Sequence, residues 1–154
     1  MAYDPRLASI GSAGQDSFDL QIDKFLVSVE ERCMENLKIF VLDLFSMIVM
    51  GTPIDTGRLA RAWSVSLDES TPYKPGEGYN HKNACQNEAI NAAQREMAKM
   101  DSKAMRARFP EIITIYNNME YALPIEYGHS KEKSPHGMVR LAIAEMKSAF
   151  GWSG

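Results

Sequence analysis

Positive charge is in short supply in this chain: 17 Lys and Arg stand against 20 Asp and Glu in 154 residues, a formal net charge of -3. General nucleic-acid binders are more often basic, because phosphate contacts dominate that kind of affinity. Mild acidity still suits a protein that surrounds DNA without gripping it. Cysteine is scarce as well. Cys33 and Cys85 fall in segments that read as helical, and Met1-Ala2-Tyr3-Asp4-Pro5 has neither the basic start nor the apolar run of a leader. Free thiols and a cytosolic folding compartment are therefore expected. The longest apolar stretch, Ile39 to Met50, is broken by Asp43 and Ser46 and falls far short of the roughly 20 residues that a membrane span needs. No membrane role is expected. A composition of 45% hydrophobic and 24% charged residues excludes a disordered tail and suits one folded domain.

Catalytic signatures are also sparse. There is no G-x-S-x-G and no organised Cys/His set for nucleophilic chemistry. Gly76-Glu77-Gly78 lacks the Gly-Lys-Ser/Thr that completes a phosphate-cradling loop. His81 and Cys85 form one loose pair, with His129 and His136 further along, and zinc sites need tighter paired spacing with further ligands. No metal and no cofactor are expected. Glu120 and Glu126 make a carboxylate pair on paper, but nothing around them marks a sugar cleft. The sharpest candidate is Asp55-Thr56-Gly57, the triplet that a homodimeric aspartic protease would use with two aspartates sharing one proton. Pro53 before it, bulky Arg58 after it and a helix leading in favour a turn instead, in which Asp55 or Thr56 caps and Gly57 supplies positive φ.

What is present is a succession of periodic segments. Residues 1–16 are rich in Gly, Ser and Asp without periodicity and read as a flexible N-terminal arm. From Phe18 the apolar positions Ile22, Phe25, Val29, Cys33, Leu37, Phe40, Leu44 and Ile48 step by three and four, the helical period. Asp16 or Ser17 is placed to cap that helix, and Gly51 with Pro53 to end it. Its first half is amphipathic. Its second half, Ile39 to Phe45, is apolar nearly all round and calls for cover on every side, part of it from a neighbouring subunit. Trp63-Ser64-Val65-Ser66-Leu67 alternates as a half-buried strand, and Thr71 to Asn80 reads as a Pro- and Gly-rich loop. Residues 82–107 form a helical stretch whose thin face (Ala89, Ala93, Met97, Met100) marks a peripheral, mobile element. Glu111 to Tyr116 is a second strand. A helical turn from Tyr121 to Tyr127 closes at Gly128. Ser134 and Pro135 suit the cap and first position of a last helix, with Met138, Leu141, Ala142, Met146 and Phe150 on one face. The sum is an α+β fold: a long N-terminal helix packed on a small antiparallel sheet, with a peripheral middle helix and a C-terminal helix. Two strands alone are marginal in water, so either a third exists or another chain completes the sheet.

Two blocks in order carry more than any single motif. The first runs Thr52-Pro53-Ile54-Asp55-Thr56-Gly57-Arg58-Leu59-Ala60-Arg61-Ala62-Trp63. The second runs from Ile115-Tyr116-Asn117-Asn118 through Tyr121-Ala122 to Ile125-Glu126-Tyr127-Gly128, and continues as Ser134-Pro135-His136-Gly137-Met138-Val139-Arg140. Over roughly residues 35–145 this resembles the tail-completion and neck proteins of tailed bacteriophages, the family that includes minor tail protein Z and head–tail joining proteins. Family members often carry Ala or Gln near His136, and the loop 69–81 is this chain's own. The resemblance implies a single connector domain over 17–154 and a non-enzymatic virion protein. It implies a ring of copies at the head–tail junction, meeting portal or head-closure proteins on one side and tail-tube proteins on the other, with DNA passing through the lumen. Assembly would take place in the host bacterial cytoplasm. The residues that would shape its turns and interfaces are Asp55, Thr56, Gly57, Arg58, Arg61, Trp63, Tyr121, Glu126, Tyr127, Gly128, Met138 and Arg140. Among them Trp63 is expected as a core anchor, and Glu126 as the forked partner of Arg58. The apolar end of the first helix and the free strand edges are the expected ring contacts.

Overall fold

The structure, a computed structural model, describes residues 5–68, 84–101, 109–128, 131 and 134–151, with side chains from residue 18 onward. The loop expected at 71–80, His81, His129, and residues 82–83 and 102–107 of the expected middle helix lie outside the described residues. The chain divides into two compact units, Met1–Leu37 and Lys38–Gly154. The boundary expected near residue 16 therefore falls inside the first helix instead.

Helix α1 spans Pro5–Met50, 46 residues. It begins a dozen residues before the expected cap, so 5–16 are helical rather than an unstructured arm. Pro5 suits the first helical position, where its missing N–H costs nothing and its fixed φ is already helical. In the first unit, residues 18–37 leave most apolar side chains in water, and only Met34 is buried. In the second unit the same helix buries Val41, Phe45, Ile48 and Val49, while Ile39 and Met50 stay exposed. The chain thus covers most of the half that was expected to need a neighbour.

The second unit is organised around a two-stranded antiparallel sheet, the only sheet among the described residues. A four-residue helix, α2 (Arg58–Arg61), leads into β1 (Trp63–Leu67), which pairs with β2 (Ile113–Asn117) in the register Trp63↔Asn117, Val65↔Ile115, Leu67↔Ile113. The alternation in β1 predicts one wet face, yet Ser66 is buried together with Trp63, Val65 and Leu67. Helix α3 (Ala84–Met97), extended by a 3₁₀ turn (Ala98–Asp101), packs against β1 and α2. Its apolar face is as thin as expected but is buried throughout, at Cys85, Ala89, Ala93, Met97 and Met100. Small side chains let the helix approach closely, so a narrow face seals completely. The opposite face, with Asn87, Asn91, Gln94 and Arg95, stays in water, so the helix lies at the periphery as expected, with one face sealed. Lys38–Asp101 at 2.8 Å, Arg61–Glu88 at 3.2 Å and the Gln86 amide donating to the Val49 carbonyl at 3.2 Å tie α3 to its surroundings.

Helix α4 (Ala122–Glu126) is the short turn expected after β2, closed by Gly128 at φ +86°. Helix α5 (Val139–Ala149) starts later than the Ser134-Pro135 pair predicts. Those two residues form a reverse turn instead, with the Gly137 N–H donating to the Ser134 carbonyl at 3.3 Å. Met138 just before α5, and Ala142 and Met146 within it, enter the core, while Leu141 and, just past its end, Phe150 are exposed. Phe150 still meets Phe40 of α1, with ring centroids 5.7 Å apart.

Candidate functional site

The first turn is the corner from α1 into β1. Gly51 closes the helix by donating to the Met47 carbonyl at 2.9 Å, and the Thr52 N–H donates to Val49 at 3.2 Å. The Thr52 hydroxyl then serves twice. It donates to the Ile48 carbonyl at 2.7 Å and accepts the indole N–H of Trp63 at 2.9 Å. A buried indole N–H needs a partner, and here that partner fixes where β1 leaves the helix. Gly57 sits at φ +83°, and a Cβ there would stand 3.0 Å from the Cys85 sulfur. The backbone conformation favours glycine, and the space beside the Cys85 side chain is tight for anything larger. The Asn117 amide donates to the Leu59 carbonyl at 2.9 Å, while its oxygen accepts from the Met119 N–H at 3.0 Å. Asp55, Thr56 and Arg58 are exposed on this corner, and Arg61 is half-buried against Glu88.

The second turn is built on one carboxylate. Glu126 accepts backbone N–H bonds from Met138 at 2.6 Å, Val139 at 2.8 Å and Arg140 at 2.9 Å, plus the Arg140 Nε at 3.3 Å. The Arg140 guanidinium also donates to the Glu126 backbone carbonyl. These three amides open α5, which has no side-chain cap of its own. A carboxylate at this position meets unpaired donors and the positive end of the helix dipole together. Burial pushes the Glu126 carboxyl up, but the three amides and the Arg140 guanidinium outweigh it, and its pKa lies below the usual carboxylate value. Gly137, at φ +82°, makes the approach possible: a Cβ there would lie 2.5 Å from the Glu126 carbonyl oxygen. At Gly128, likewise, an added Cβ would stand 3.0 Å from the Pro135 carbonyl oxygen.

Glu126 therefore pairs with Arg140 and the start of α5, and no hydrogen bond or ion pair joins it to Arg58. The fork expected between the two blocks is replaced by a brace inside the second block. Arg140 spans that brace, its guanidinium carbon 5.2 Å from the centroid of the exposed Tyr127 ring. Tyr121, which precedes α4, and Leu123 within it are exposed, whereas Met138 and Trp63 are buried. Sequence reading missed Thr52, Asn117 and Gly137. Thr52 carried a usable signal, since a threonine just after a helix is placed to bond back to the residue four before it. Gly137 carried a weaker one. Among the described residues no group of three or more His, Cys, Asp or Glu is placed to hold a metal ion, and no helix is long and apolar enough to cross a membrane.

No protein-family model matches this chain, and neither the curated proteins nor the solved structures contain a match to it.

Proposed function

We propose that this chain is a non-enzymatic structural subunit of a tailed-bacteriophage virion, forming a homo-oligomeric ring at the head–tail junction as a neck or tail-completion protein. The observation that carries the reading is that both sequence blocks behind the family resemblance fold as rigid corners. Each is held by bonds between residues well apart in sequence: Trp63 to Thr52 within the first and Glu126 to residues 138–140 within the second, with Asn117 of the second block bonded to Leu59 of the first. Each presents exposed side chains from a fixed backbone: Arg58 from the first, and Tyr121, Tyr127 and Arg140 from the second. Tyrosine and arginine on a pre-ordered surface are the residue types that anchor protein contacts. The partners would be further copies of the chain, portal or head-closure proteins and tail-tube proteins. DNA would pass the lumen without specific binding, in keeping with the net charge of -3.

Native mass spectrometry and negative-stain imaging of the purified protein, alone and with portal or tail-tube proteins, test this reading. Closed rings are expected, and a strictly monomeric protein under all these conditions overturns it. Asp55→Asn separates the reading from an aspartic protease, because it abolishes a protease and leaves ring assembly intact.

A further inference from the structure

We draw no further inference here: the strongest candidate, the outer edge of β2 (Ile113–Asn117), where the bond from the Asp68 N–H to the Ile112 carbonyl sets a phase in which Ile113, Ile115 and Asn117 turn their backbone groups away from β1, suits any extended chain equally, and nothing in the structure shows what covers it.

Discussion

Phe25 and Phe45 are the same residue on the same helix, and they have opposite fates: Phe25 is 63% exposed and Phe45 fully buried. Local sequence does not explain the difference, since both halves of α1 are rich in apolar residues at helical spacing. What differs is what surrounds them. Residues from Lys38 onward belong to the unit that contains the sheet, α3 and α5, and residues before it do not. The lesson concerns hydrophobic density. The half that looks most in need of a partner, Ile39 to Phe45, is largely covered by its own chain. The amphipathic half, which looks complete, is the half left with uncovered faces.

Several substitutions would break or sharpen that contrast. The largest effect is expected from Phe45→Ala, which empties a fully buried site and should cost about 3–5 kcal/mol in urea unfolding. A loss below about 1 kcal/mol would mean that α1 is not anchored in the second unit as described. Next comes Glu126→Gln, which removes the charge that three amides and Arg140 converge on. A loss of about 1.5–3 kcal/mol is expected, the range for hydrogen bonds to charged groups. The same carboxylate sets a pH dependence. Its native pKa is depressed, so on acidification the unfolded chain takes up this proton first. Its stabilising contribution is complete above the ordinary glutamate range and is lost as pH falls through the lower native value. Denaturant midpoints from neutral to acid pH should show that acid-side loss in wild type and a smaller one in Glu126→Gln.

A smaller effect is expected from Thr52→Val, which keeps the shape of the side chain but strands the Trp63 indole N–H. About 1–2 kcal/mol, with a changed tryptophan emission, would support its place at the corner. An unchanged unfolding midpoint would remove Thr52 from that role. Breaking Lys38–Asp101 with Asp101→Asn should cost less than about 1 kcal/mol and vanish at high salt, because Asp101 is more than half exposed. The smallest effect on stability belongs to Phe25→Ala, expected within about 0.5 kcal/mol of wild type for the monomer. A loss comparable to that of Phe45→Ala would erase the distinction between the two halves of α1.

Much of the fold was readable in order. The strand at 63–67, the turn closing at Gly128 and the end of α1 at Gly51 all rest on local chemistry, namely alternation, positive φ and a helix stop followed by proline. Ser134 and Pro135 look like a helix start, yet α5 opens at Val139, where Glu126 from the preceding turn accepts from its first amides. Residues 1–16 look unstructured, yet the helix opens at Pro5. The thin face of α3 reads as burying little area, and its small side chains allow the close approach that buries Met97 and Met100. The Arg58 to Glu126 pairing was drawn from charge and motif order alone, and neither carries distance.

By itself, then, the sequence determined the α+β class, the element order from α1 through the two strands to α5, and the two glycine-shaped corners, since these depend on periodicity and on the φ values a residue tolerates. The tertiary structure alone decided which half of α1 is covered, which arginine Glu126 holds and what caps α5. Those outcomes depend on which groups from distant parts of the chain come within hydrogen-bonding and packing range, and spacing along the chain does not encode that range.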